Sequence, residues 1–331
     1  MRKSFMAFAT ALSLAGGVAV AQDYPAYDVN GVIQWGAGGA VDTVGRAASA
    51  IAEQQLGRKI VMTNRTGGAG VIAVRHVLAQ TADGYTLLFG SADPQLYKVL
   101  GLADVDYGDF FPVSLMVEEP NVILVNSDAP YQTFADLLAD VQARPGEIRL
   151  ANYGPGTGSH IVNTMLASVT DFDANLVPFD GAGAAMTAAM GGAVEVVVAG
   201  VSIAKPMIEA GRLRALTIVA PEKNPHLPDV PPVIDFVPAI SKFLPWGSLY
   251  GVFADKDIPD DAKARLVEAF AAATSDPKFT EAMDQRGVRI LALSGDEAAA
   301  YLDRWQSVTS WLLQDGGAAK VSPEAFGIPK P

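Results

Sequence analysis

The chain has no cysteine in its 331 residues. No disulfide framework is possible, and no lipid can attach through a cysteine at a mature N-terminus. The folded protein must be held by its core alone. Histidine is almost as scarce. His76, His160 and His226 are widely spaced, and no pair has the spacing of metal ligands. A Gly-x-Ser-x-Gly nucleophile elbow and a Walker A loop are both missing. Charge is sparse and one-sided: 18% of residues are charged, and 24 Lys and Arg face 36 Asp and Glu. That balance argues against nucleic-acid binding, because phosphate contacts need clustered Lys and Arg. It does not exclude an anionic ligand, since a pocket of backbone N–H groups binds an anion against the global field.

The first residues set a compartment. Arg2 and Lys3 form a short basic region, residues 5–14 are almost wholly apolar, and Ala19-Val20-Ala21 has the small-x-small pattern of a signal-peptidase site. Residues 1–21 are therefore expected to be an export signal cleaved before Gln22. The apolar run is shorter than the roughly 20 residues that span a bilayer, and no basic flank follows it. Cleavage makes the net charge of −12 two units more negative. Half the residues are hydrophobic, so the remainder is globular. Its length exceeds one compact core and implies two domains.

Apolar runs and turn residues alternate with helical patterns. Residues 29–35 predict a strand, Gly36-Ala37-Gly38-Gly39 a loop, and Asp42 the N-cap of a helix to residue 55 that stops at Gly57. A strand at 60–63, a loop at 64–70, a helix at 71–80 and a strand at 85–89 follow. A second series begins at 121. Its strands are expected at 121–125, 148–153, 175–179, 193–199 and 213–220. Its helices are expected at 133–142, 161–168, 182–190 and 203–210. The proline-rich stretch 221–245 reads as irregular surface, 247–253 as a strand, and 260–274, 277–285 and 296–313 as helices. The β-α-β order of each series requires crossovers, hence sheets with parallel strands covered by helices. The expected fold is α/β, with two lobes separated by a cleft. In such sheets ligands sit beyond the carboxyl ends of strands. Two glycine-rich loops occupy such positions, 36–39 in the first lobe and 154–159 in the second. Helix N-termini there offer unpaired N–H donors and partial positive charge. Either loop alone also suits an ordinary strand–helix turn. Gly154-Pro155-Gly156-Thr157-Gly158 lacks the full spacing of a dinucleotide loop.

Several segments resemble, in order, the Bug family of TctC-like solute receptors of tripartite tricarboxylate transporters. They are residues 32–39 with Asp42, Thr63-Asn64-Arg65 with Gly67-Gly68-Ala69-Gly70, Asp83-Gly84-Tyr85-Thr86-Leu87-Leu88 and Phe111-Pro112-Val113-Ser114-Leu115. The series continues with Gly156-Thr157-Gly158-Ser159-His160, Ala210-Gly211-Arg212-Leu213-Arg214-Ala215-Leu216 and Leu227-Pro228-Asp229-Val230-Pro231. The resemblance implies a two-lobed Venus-flytrap fold of the periplasmic-binding-protein kind, each lobe a mixed sheet flanked by helices. Lobe I would be residues 22–120 plus 247–331, and lobe II residues 121–246. It implies no enzyme activity and no cofactor. The ligand would be a small di- or tricarboxylate or aromatic acid, and the partners the membrane permease subunits of a tripartite transporter. The chain is expected to act as a monomer in the periplasm. Sensing the same ligand for a membrane histidine kinase is the alternative that sequence does not separate. The implied binding positions are Trp35, Gly36, Ala37, Gly38, Gly39 and Asp42 in the first lobe, with Ser91. In the second they are Asn152, Thr157, Gly158, Ser159, Asp180 and Gly200.

Departures from the family bear on specificity. Gln34-Trp35 stands where Pro-Phe is common, and Trp35 either stacks on a planar ligand or packs the core beside the loop. Phe179-Asp180-Gly181 replaces a frequent Tyr-Lys-Gly, and Asp180 is expected to cap the next helix. Ala199 stands where an Asp is often found, which favours a plain organic acid over an amino acid. Trp246 is a further cleft candidate, with a hinge or surface role as the other reading.

Overall fold

The computed structural model describes residues 24–331; the expected export signal lies outside them. Strand β1 (Val29–Ile33) leads through the first glycine-rich loop into helix α1 (Ala40–Leu56). Gly57 ends that helix in the left-handed conformation, its N–H bonded to the Glu53 carbonyl. Strand β2 (Ile60–Asn64), helix α2 (Val71–Leu78), and strands β3 (Thr86–Ser91) and β4 (Phe110–Glu119) complete the first series. The second series runs β5 (Asn121–Asn126), α3 (Phe134–Ala143), β6 (Arg149–Asn152), α4 (Gly158–Ala167), β7 (Asn175–Pro178), α5 (Ala182–Met190), β8 (Val196–Gly200), α6 (Val201–Glu209) and β9 (Leu213–Val219). The chain then returns as β10 (Ser248–Asp255), α7 (Asp260–Ser275), α8 (Pro277–Asp284), β11 (Arg289–Leu293) and α9 (Gly295–Asp315).

Two mixed sheets result. The first has six strands in the order β11-β4-β10-β3-β1-β2, and the second five in the order β7-β6-β8-β5-β9. Strands β1, β2 and β3 are parallel, while β10 runs antiparallel between β3 and β4. In the second sheet β5 is the reversed strand, antiparallel to β8 and β9. Only Pro120 separates β4 in one sheet from β5 in the other, so this is a short crossing between lobes. A second crossing, after β9, delivers β10 back to the first sheet. Helix α9 packs on β4 and reaches across to α4.

Alternation along the strands divides the core into two layers. Val29, Ile33, Leu87, Phe89, Val122, Leu124 and Val197 face one layer; Val32, Leu88, Ile123, Val125, Val196 and Val198 face the other. Both faces are covered by helices, which is why these strands read as unbroken apolar runs. Each such Val, Leu or Ile contributes about 1.5–3 kcal/mol when fully buried.

Three features differ from the sequence-based expectation. Strand β4, which contains Pro112, was not among the expected elements. The ladder to β10 shifts register between Val252 and Phe253, next to the Phe253–Pro112 pair, and such a bulge is where a strand tolerates proline. Strand β11 is a short edge element with Ala292 at φ 51°. The stretch 221–245 is irregular but not simply surface: Leu227, Val230, Val233, Val237 and Ile240 are buried.

Candidate functional site

The carboxyl ends of β1 and β3 in the first sheet face those of β6, β7 and β8 in the second. The loops that follow these strands touch across the cleft. The Trp35 and Tyr153 rings meet edge to face at 6.5 Å. A Cβ placed on Gly183 would lie 3.0 Å from the Ala37 carbonyl oxygen, and one on Gly154 would lie 3.1 Å from the Ala69 side chain. Between the lobes lies a narrow cavity of about 50 Å3.

Three helix N-termini reach its lining. Gly39, Ala40 and Val41 come from the start of α1, Thr157 and Gly158 from the start of α4, and Ala182 from the start of α5. None of these three helices is capped by a side chain at its N-terminus. First-turn N–H groups have no intrahelical partner, and each helix end carries about half a positive charge. Three such ends therefore offer an anion site without a lysine or arginine in the lining. A fourth end, that of α6, is occupied: Val201 N–H bonds to the Pro120 carbonyl, and Ser202 N–H donates to Glu119 Oε2 at 2.7 Å.

Aromatic rings form the walls. Trp35 and Tyr153 stand on one side, and Tyr250, Trp246 and Trp305 on another. Trp246 and Trp305 stack at 6.1 Å. The Trp305 indole donates to the Gly247 carbonyl at 3.0 Å and the Trp246 indole to Thr309 Oγ1 at 3.1 Å. Tyr250 is placed by the β10–β3 ladder, directly opposite Ser91.

One ionisable side chain lines the cavity besides tyrosines, and it is Asp93. The Trp35 indole donates to Ser91 Oγ at 2.9 Å, and Ser91 Oγ donates to Asp93 Oδ2 at 2.5 Å. Gln34 braces the same point: its Oε1 accepts from Ser91 N–H at 3.0 Å while its Nε2 donates to the Tyr97 hydroxyl at 2.8 Å. Burial pushes the Asp93 carboxyl up to about 7, against the lowering effect of the Ser91 and Trp35 hydrogen bonds.

Of the expected binding positions, Trp35, Gly39, Ser91, Thr157, Gly158 and Gly200 line this cavity; Gly36, Ala37, Gly38, Asp42, Asn152, Ser159 and Asp180 do not. Asp42 is not an N-cap, a place taken by Gly39. It lies in the first turn of α1 and holds the loop from behind, accepting from Gly38 N–H at 3.1 Å, Asn64 at 2.9 Å and Arg46 at 2.8 Å. Burial would raise its carboxyl, but these bonds outweigh it and hold it below the usual range. Gly38, at φ 76°, would set no Cβ against a protein neighbour, so the left-handed backbone of the turn is what calls for glycine there. Ser159 Oγ is fully buried and spends its hydrogen on Asn152 Oδ1 at 3.0 Å. Asp180 is exposed and makes no cap to α5, whose N-cap is Gly181. It borders a neighbouring recess with Asn152 and Gly154. Sequence reasoning missed Asp93, Tyr153, Tyr250 and Trp305, and left Trp246 open.

The family model described as "Tripartite tricarboxylate transporter family receptor" matches residues 44–309. The chain belongs to this family. Curated relatives agree over most of their length. A UPF0065 protein from the tcbD-tcbE intergenic region of Pseudomonas sp. strain P51 is 28% identical over 86% of both chains. Protein BugT of Bordetella pertussis is 28% identical over 81% of this chain and 86% of its own. Among solved structures, the periplasmic binding protein BugD superposes with a TM-score of 0.83 at 27% identity, covering 89% of this chain and 99% of that one. MatC from Rhodopseudomonas palustris with bound malate gives a TM-score of 0.79 at 25% identity, covering 88% of this chain and all of that one. The two-lobed binding-protein fold and membership of a family of periplasmic solute receptors are thereby established.

Proposed function

We propose that this receptor is exported to the periplasm, captures a small organic carboxylate between its lobes, and presents the closed form to the permease subunits of a tripartite tricarboxylate transporter. The observation that carries the ligand class is the convergence of three uncapped helix N-termini on one aromatic-walled cavity with no basic side chain. Such ends hold a carboxylate by oriented N–H donors. The malate in MatC supports the same class of ligand. Trp35 and Tyr153 meet across the cleft and both line the cavity; a ligand that touches both lobes at once binds the closed state better, and that difference drives closure.

The mature protein is expected to be stabilised in a thermal-shift screen of organic acids. A ligand that binds only the folded state contributes about 2.7 kcal/mol at a hundredfold excess over Kd. Stabilisation by sugars or metal ions with no response to any carboxylate overturns the reading.

Closure has its own test. Gly183 faces the Ala37 carbonyl across the cleft, at 3.0 Å from an added Cβ. Gly183→Val is expected to hold the lobes apart by an overlap costing about 1–3 kcal/mol. The ligand affinity found by calorimetry should then fall roughly 10- to 100-fold. Urea denaturation of the ligand-free protein should be unchanged, because the position is in the first turn of α5 and valine is no worse than glycine in a helix. Unchanged affinity would show that closure does not pass through this contact.

A further inference from the structure

The lining of the cavity is unbalanced in a way that a plain carboxylate does not use. Its donors are the helix N-termini. Its acceptor is Asp93, which is 7% exposed. The hydrogen-bond chain that reaches Asp93 has a direction. Trp35 N–H donates to Ser91 Oγ, and Ser91 O–H donates on to Asp93 Oδ2 at 2.5 Å. The alternative acceptor for that hydroxyl, Gln34 Oε1, is farther away at 3.3 Å and already accepts from Ser91 N–H. Asp93 is thus placed as an acceptor. The Trp35 indole stands close enough to hydrogen-bond the same carboxyl, and both residues line the cavity. Among the described residues, no lysine, arginine or histidine stands in the lining to pair with Asp93. The nearby walls are π-faces: Trp35, Tyr153, Tyr250, Trp246 and Trp305. A cation against such faces is attracted by their quadrupoles.

We propose that Asp93 is a specificity-determining residue that selects carboxylates bearing a cationic amino group, which its side chain holds while the helix N-termini hold the ligand's carboxylate. This rests on the carboxylate reading above and narrows it. A buried carboxylate without a cationic partner is costly, so a ligand that supplies the cation is favoured over one that does not. This reading reverses the sequence-based preference for a plain acid.

The proposal has a pH signature. The titratable groups around Asp93 are Tyr97, Tyr107 and Tyr153, all pushed up by burial and neutral through the working range. Another buried carboxylate, Glu119, lies outside the lining, beside Tyr250. The face of α9 toward the Asp93 segment presents Trp305 and Gln306, whose amide donates to the Gln95 carbonyl. An ammonium group binds the ionised Asp93, so affinity rises with pH through about 7. A protonated Asp93 donating to a second carboxylate of the ligand gives the opposite slope.

The test uses the mature full chain, Asp93→Asn, and matched pairs of probes: aspartate with succinate, phenylalanine with 3-phenylpropionate, and 4-aminobutyrate with butyrate. Calorimetry on the wild type should find an amino member binding at least about tenfold tighter than its amino-free partner. Its affinity should rise between about pH 6 and 8. Asp93→Asn should remove most of that preference while leaving the amino-free partner within about threefold. A residue that is only structural would shift both members together. Tighter binding of the amino-free member, with affinity falling as pH rises, overturns the proposal but leaves the carboxylate reading intact. No binding by any probe or other carboxylate overturns both. Should Asp93→Asn fail to fold, the wild-type preference and pH slope decide the matter.

Discussion

Trp305→Ala is expected to lower stability by about 3–5 kcal/mol, the range for a buried tryptophan truncated in a packed site. Its ring is 7% exposed and stacks on Trp246 at 6.1 Å. Its indole N–H satisfies the carbonyl of Gly247 at 3.0 Å, where the second crossing segment enters β10. Helix α9 thus clamps the segment that joins the lobes, and the same ring walls the cavity. Truncation removes the packing, orphans a buried carbonyl and opens the site. Urea denaturation should show the stability loss, and calorimetry a parallel loss of ligand affinity. Trp305→Phe separates the contributions: it keeps a ring against Trp246 and loses the hydrogen bond, so it should cost only about 1–3 kcal/mol. A loss below about 1 kcal/mol for Trp305→Ala would mean that the neighbouring helices refill the space.

The elements that sequence revealed are those with local signals. Apolar runs bounded by glycine and aspartate placed β1, β3, β5 and β8 to within a few residues, because strands buried on both faces need continuous hydrophobicity. Helix starts were less legible. Helix α4 begins at Gly158, three residues before the apolar face begins, because Thr157 has the extended N-cap conformation although its hydroxyl is spent on the Gly154 carbonyl. The site shows the same division. Residues 39, 157 and 158 sit at strand–helix turns, a pattern visible in one dimension. Asp93, Tyr250 and Trp305 are assembled by long-range pairing: β10 returns between β3 and β4 and sets Tyr250 against Ser91, while α9 folds back over the crossing segment. Nothing local in Asp93-Pro94-Gln95 distinguishes a buried carboxyl from a surface turn. The departure at Ala199 was visible, but the buried carboxyl of Asp93 in the cavity lining was not.

Gly200→Ala is expected to destabilise the protein by about 2–5 kcal/mol, although the change is a single methyl group; overpacking accounts for roughly 1–3 of this and a displaced buried hydrogen bond for most of the rest. Gly200 has φ −61° and ψ 147°, which alanine adopts freely, so the backbone is not the obstacle. Space is. An added Cβ would stand 1.9 Å from Glu119 Oε1 and 2.4 Å from Glu119 Cδ. Glu119 cannot simply swing away. It is fully buried in the first crossing between the lobes, and its Oε2 takes the Ser202 N–H that opens α6. Oε1 has no partner, and Ser202 Oγ beside it has none either. Burial raises the Glu119 carboxyl above its ordinary range. A carboxyl raised in this way favours the folded state most when protonated, so its contribution is full in acid and is lost as pH rises through the raised value. Glu119→Gln, neutral and nearly isosteric, should therefore raise stability at neutral pH and flatten that dependence. The methyl at position 200 and the carboxylate at 119 compete for one volume, so their effects should not add. In a double-mutant cycle Gly200→Ala with Glu119→Ala should recover at least about 1 kcal/mol relative to the sum of the single changes. Strict additivity would place the cost of Gly200→Ala elsewhere in the cavity wall, and ligand binding, not denaturation, would then carry the larger loss.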